Sequence, residues 1–148
     1  MILDPDLENH EYVCGVFKKH KSIFPHIRQD YIFNMLKSKK CWSKNGIIIM
    51  FNQYKRNNKI GNITAPIGSF TIKQIVNESI GNGNAAIELE DFVKFCNSDI
   101  YLSVRKDNTR AISFYKKYGF TEVGLIAWKN GTIPGLVFIR KNNNADRI

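Results

Sequence analysis

The sequence predicts a mixed α/β fold in which a central mixed β-sheet is flanked by helices. Three observations carry this. Residues 100–124, IYLSVRKDNTRAISFYKKYGFTEVG, read as strand, helix and strand in direct succession. Asn130-Gly131 lies between two apolar stretches and is the strongest short hairpin signal a sequence can hold. The N-terminal segment repeats its apolar residues at helical rather than alternating spacing.

Taken in order, residues 7–20 form a first helix. Val13, Val16, Phe17 and His20 fall on one face, and Asp4-Pro5-Asp6 is a start signal. Phe24-Pro25 opens a second helix with Ile27, Tyr31, Met35 and Leu36 inward. Residues 46–51, GIIIMF, form an apolar strand, and Lys55-Arg56-Asn57-Asn58 is a turn signal. A strand over residues 59–64 follows, then a break at Ala65-Pro66-Ile67-Gly68. Residues 70–77 alternate as a strand, and residues 84–95 form a helix with Ala85, Leu89, Phe92 and Val93 inward. After the strand at residues 100–104, Asp107 and Asn108 are helix-capping types. Ala111, Ile112, Tyr115 and Tyr118 then share one helix face, which Gly119 ends in a left-handed turn. Strands over residues 121–128 and 132–139 make the last hairpin. Residues 1–140 read as one domain, and residues 141–148 as a polar, frayed tail.

Composition narrows the class. With 148 residues and 43% hydrophobic content the chain can bury a core, and no apolar run approaches the ~18 residues of a membrane span. The opening MILDPDLENHEY is too acidic and polar for a signal peptide. Cys14, Cys41 and Cys96 are odd in number, widely spaced and without a C-x-x-C, which argues against a disulfide framework and against zinc. His10, His20 and His26 show no ligand spacing with them. The expectation is a cytoplasmic protein without a metal or a membrane partner. The net charge is +9. Between Asp30 and Glu78 there is no acid, yet Lys37, Lys39, Lys40, Lys44, Lys55, Arg56, Lys59 and Lys73 all lie there. A one-sided basic surface would attract the phosphates of a small ligand or a nucleic acid. A solvated lysine face in a Lys-, Asn- and Ile-rich chain is the other reading.

Residues 78–86, ESIGNGNAA, lie between an expected strand and an expected helix. Glycines there let the backbone approach a ligand, and the N–H groups of a helix start point at an anion, so pyrophosphate is the natural guest. Gly81-x-Gly83-x-x-Ala86 formally fits the dinucleotide fingerprint. However, the loop is mid-chain and Asp99 precedes the next strand instead of ending it, so that reading fails. A glycine-rich connection with no ligand stays open.

The wording V-x-x-x-N-x-x-A-x-x-F-Y-x-x-x-G-F, carried by Val104, Asn108, Ala111, Phe114, Tyr115, Gly119 and Phe120, resembles the GNAT superfamily of N-acyltransferases. The element order is similar over nearly the whole chain. The resemblance implies transfer of an acetyl group from acetyl-CoA to a primary amine of a small molecule or protein. It assigns the coenzyme pyrophosphate to Gly81, Asn82, Gly83, Asn84 and Ala85, and the pantetheine to Ile75 and Val76. It adds Asn108, Ala111 and Phe114 as cofactor contacts and Tyr115 as the acid beside the sulfur. The family loop reads Q/R-x-x-G-x-G/A, and this chain departs from it at the basic or amide position, which falls on Glu78 or Ile80. The base stays open among several candidates. Gln74 is the nearest equivalent but cannot take a proton, Glu78 is the nearest carboxylate, His20 and His26 flank the first inter-helix loop, and ordered water would also serve. The alternative is a GNAT-like enzyme or a non-catalytic module acting on nucleic acid through its basic surface. It is not favoured, because no aromatic residues interleave the basic run to stack bases.

Overall fold

The computed structural model describes residues 1–25, 27–78 and 84–142, with the side chains of Asn84 and Ala85 outside that description. Its elements are α1 (Leu7–Lys19), α2 (Gln29–Lys37), β1 (Cys41–Lys44), β2 (Ile47–Gln53), β3 (Asn58–Ile60), β4 (Ile63–Ala65), β5 (Phe70–Asn77), α3 (Asn84–Cys96), β6 (Ile100–Arg105), α4 (Thr109–Lys117), β7 (Thr121–Trp128) and β8 (Ile133–Arg140). The chain divides into two compact units, Met1–Phe51 with Lys73–Phe92, and Asn52–Ile72 with Val93–Ile148.

In the first unit the strand order is β1-β2-β5. β1 and β2 form an antiparallel hairpin with Cys41 opposite Met50 and Lys44 opposite Ile47. Ile47, Ile48, Ile49 and Met50 are all fully buried, because helices cover both faces of β2. On one face, Val13, Val16 and Phe17 of α1 and Ile32 and Leu36 of α2 pack with Ile48, Met50 and Val76. On the other, Phe92 of α3 meets the rings of Trp42 and Phe51 edge-on at 5.5 and 5.4 Å. Asp6 caps α1 by accepting the Asn9 N–H at 2.8 Å.

In the second unit the order is β5-β6-β8-β7. β5 and β6 are parallel, with Phe70 opposite Ile100 and Ile72 opposite Leu102, and the other pairings are antiparallel. The β3–β4 hairpin forms a separate two-stranded sheet, and its Ile60 and Ala65 bury with Tyr101, Val137 and Ile139. Gly119 ends α4 at φ +91°, and the Arg140 guanidinium donates to the Tyr118 carbonyl at 3.0 Å, placing a cation at the helix C-terminus.

Three expectations need correction. The second helix starts at Gln29, not at Phe24-Pro25, since the proline biases Phe24 away from helical backbone. Ile32 consequently joins Leu36 as its fully buried pair. The strand expected over residues 59–64 is two strands, folded back at Gly61, whose φ is +59°. The sequence reading also lacked β1. It pairs with β2 through Asn45-Gly46, both at positive φ (49° and 86°), the same dipeptide that turns β7 into β8. In the tail, the Asn142 N–H donates to Asp99 at 2.7 Å. Among the described residues no helix is long and apolar enough to cross a membrane, and no cluster of three or more His, Cys, Asp or Glu stands ready for a metal.

Candidate active site residues

β5 supplies the candidates of the first unit. Its alternation leaves Ile75 half-buried and puts the Val76 side chain into the α1–α2 core at 4% exposure. Val76 can therefore offer a ligand only its backbone. Gln74 is half-buried. Glu78 follows the end of β5 and is held twice. Its N–H donates to the Gly46 carbonyl at 2.7 Å, and its carboxylate accepts from the Tyr12 hydroxyl at 3.1 Å. Burial first, and the Glu78 hydrogen bond and charge next, raise the Tyr12 pKa, while a hydrogen bond with Ser43 opposes them. Tyr12 is thus a neutral donor at ordinary pH. The sequence reading missed it, although Tyr12 stands four residues before Val16 and so borders the buried stripe of α1. Gly81, Asn82 and Gly83 lie outside the described residues, as does His26. Asn84 and Ala85 open α3. His20 is half-buried with no partner for its Nε2 among the described residues. A cavity of about 560 Å³ lies along α1 and α2, bordered by His10, Cys14, Lys18, Phe24 and Ile27.

The second unit brings together the motif residues. Asn108 caps α4, its side-chain oxygen accepting the Ala111 N–H at 3.2 Å. Ala111 and Phe114 are half-buried on that helix. Tyr115 is 8% exposed, and its ring meets those of Phe114 and Phe120 edge-on at 5.5 and 5.4 Å. Burial pushes its phenol up to about 12. Among the other titratable candidates, burial raises Cys14 and Cys96 and pushes Cys41 up to about 12. Reactive thiolates are not expected at any of them.

No family model and no curated protein matches this sequence. Solved structures do match. The chain is similar to Ard1 from Thermoplasma volcanium at 18% identity and a TM-score of 0.69, over 95% of both chains. It is similar to Arabidopsis thaliana NAA60, solved in complex with acetyl-CoA, at 16% identity and 0.65, over 95% of this chain and 97% of that one. It resembles the ribosomal-protein-S18-alanine N-acetyltransferase of Escherichia coli at 14% and 0.54, over 78% and 77%. At these identities the likeness is one of fold: the chain has the fold of the GNAT N-acetyltransferases.

Proposed function

We propose that the protein is an acetyl-CoA-dependent N-acetyltransferase acting on a primary amine of a small molecule or protein. The observation that carries this is the placement of the motif. Asn108 caps α4, Tyr115 is enclosed on it, and Gly119 ends it at positive φ, within a fold shared over 95% of its length with Ard1. The buried and half-buried residues suit the ligand: Ile75 and the β5 backbone would hold the pantetheine, and the start of α3 the pyrophosphate. Asn108, Ala111 and Phe114 would hold the remainder.

Acetyl-CoA, when bound, supplies an activated thioester. The chain must then orient a neutral amine, take one proton from it and steady the departing sulfur. Glu78 is the proton acceptor supported best, because Tyr12 fixes its carboxylate at 3.1 Å and the Gly46 carbonyl fixes its backbone. A carboxylate suffices for this task because an amine nitrogen becomes far more acidic once bonded to the carbonyl carbon. Gln74 would position the amine or a water. Tyr115 would direct its hydroxyl at the sulfur. Buried Cys41 and Cys96, both free thiols, suit a reducing cytoplasm.

The test is ligand-induced stabilisation. Acetyl-CoA at about 100 times its Kd adds ~2.7 kcal/mol, which for a chain this size raises Tm by roughly 5–10 °C. A panel of amines then reports turnover. No shift at millimolar acetyl-CoA would overturn the cofactor assignment, and binding without any turnover would leave a non-catalytic module.

A further inference from the structure

The β1–β2 turn touches both flanks of the segment assigned to pyrophosphate. On the upstream side, the Gly46 carbonyl accepts the Glu78 N–H at 2.7 Å. On the downstream side, the Asn45 amide donates to Glu88 at 2.8 Å, and the Lys44 ammonium pairs with Asp91 at 2.7 Å. Glu88 and Asp91 are three residues apart on α3 and so share a face of it. Three consecutive turn residues therefore hold the end of β5 and the first half of α3 to one frame. The turn itself is stiff: Asn45 and Gly46 both sit at positive φ, the conformation a tight two-residue hairpin requires.

Glu88 is the unexpected member. It is 2% exposed, beside the fully buried Leu89 and near Phe92, and its Oε2 has no partner among the described residues. Burying a carboxylate with one oxygen unsatisfied costs stability that an apolar residue of similar size would not cost. Lys44, whose ammonium is paired with Asp91, also interacts favourably with the charge of Glu88. The buried acid thus spends stability on a fixed placement of α3 against the turn.

We propose that the Lys44-Asn45-Gly46 turn and Glu88 are positioning residues for coenzyme binding, setting the separation between Glu78 and the start of α3. This rests on the acetyltransferase reading above. It predicts that affinity and stability part company. Glu88→Leu removes the anchor of Asn45 but replaces a buried carboxylate with an apolar group, and the exposed Asn45 amide returns to water.

The experiment measures acetyl-CoA Kd, kcat and unliganded Tm for the natural protein and three variants. Glu88→Leu should keep or raise Tm while weakening acetyl-CoA by roughly tenfold, the size of one hydrogen bond to a charged group. The kcat at saturating acetyl-CoA should stay within about threefold, since no reacting atom is touched. Glu88→Gln, which can still accept from Asn45, should recover most of the lost affinity. Asn45→Gly keeps the positive-φ turn but loses the amide, and should weaken acetyl-CoA in the same direction. Unchanged affinity in both Glu88→Leu and Asn45→Gly would overturn the proposal. So would a Glu88→Leu protein that loses Tm and affinity together, since that is the signature of a purely structural residue. Failure of the natural protein itself to bind acetyl-CoA would instead sink the acetyltransferase reading.

Discussion

Enclosure by aromatic rings makes a phenol a weaker acid, and this limits what Tyr115 can do. With its pKa pushed up to about 12, full proton transfer to a thiolate of conjugate pKa ~8.5 is uphill by ~5 kcal/mol. A hydrogen bond to the developing charge is the contribution that remains. Tyr115→Phe should therefore lower kcat about 100- to 1000-fold and leave acetyl-CoA affinity within a few-fold. A variant retaining half its turnover would make Tyr115 a packing residue only. The same substitution has a signature in alkali. The folded chain holds the phenolic proton up to about 12, while the unfolded chain releases it near 10.0. Stability from this group is complete below pH 10 and falls as pH rises toward 12, by up to ~3 kcal/mol. Cys41, raised from 9.0 to about 12, adds a loss of the same sign starting a unit lower. Urea midpoints at pH 8 and 11 should show a shallower decline for Tyr115→Phe than for the natural protein. At this scale the sequence was legible where local structure is written in local spacing. Asn108, Tyr115 and Gly119 stand one helix apart and their capping chemistry is fixed by neighbours. Tyr12 was not legible as a partner of Glu78 because 66 residues separate them and only the pairing of β2 and β5 beside α1 closes that gap.

Hairpins show how the same local code can be read once and overlooked twice. Asn130-Gly131 announced β7 and β8, and Asn45-Gly46 carries the same signal for β1 and β2, but the continuous apolar run after Gly46 drew attention from the short strand before it. Gly61 was hidden within a run that looked like one strand. It matters most, because the β3–β4 turn is seated on β7. The Asn62 N–H donates to the Leu125 carbonyl at 3.0 Å, and the Leu125 N–H donates to the Asn62 side chain at 2.7 Å. This occurs just after the register shift between Glu122 and Gly124. A methyl at Gly61 would lie 2.0 Å from the Leu125 carbonyl oxygen, at a φ of +59°. Gly61→Ala should cost ~2–4 kcal/mol, the sum of a left-handed penalty and a broken backbone contact. Gly131→Ala is the control: its φ is +87°, but nothing lies within 4 Å of an added methyl. It should cost only ~1–2 kcal/mol. Equal losses in urea unfolding would mean that the hairpin is not seated on β7 in solution.

For the molecule as a whole, the charge of +9 separates two classes of substrate. The acid-free interval suggested one basic surface, and the structure reduces it. Lys44 is neutralised by Asp91 at 2.7 Å. In the first unit, exposed Lys37 and Lys39 and half-buried Lys40 stand at and beyond the end of α2. In the second, exposed Lys55, Arg56 and Lys59 surround the start of the β3–β4 hairpin. Each set alone could neutralise roughly two or three phosphates. Each phosphate contributes about −0.7 to −0.9 to the slope of log K against log salt, so one set gives a slope near −2. Between 50 and 300 mM salt, affinity for DNA or RNA should then fall roughly 40-fold. Beside the second set, Tyr54 makes a poor stacking platform, because it is half-buried and packs against the core of Ile60, Ala65 and Tyr101. Binding should be weak, salt-sensitive and indifferent to sequence, which leaves a small or protein amine as the preferred acceptor. Anisotropy titrations across that salt range decide the matter. Tight binding that persists at 300 mM, and disappears when Lys55, Arg56 and Lys59 become alanine, would instead make nucleic acid the substrate.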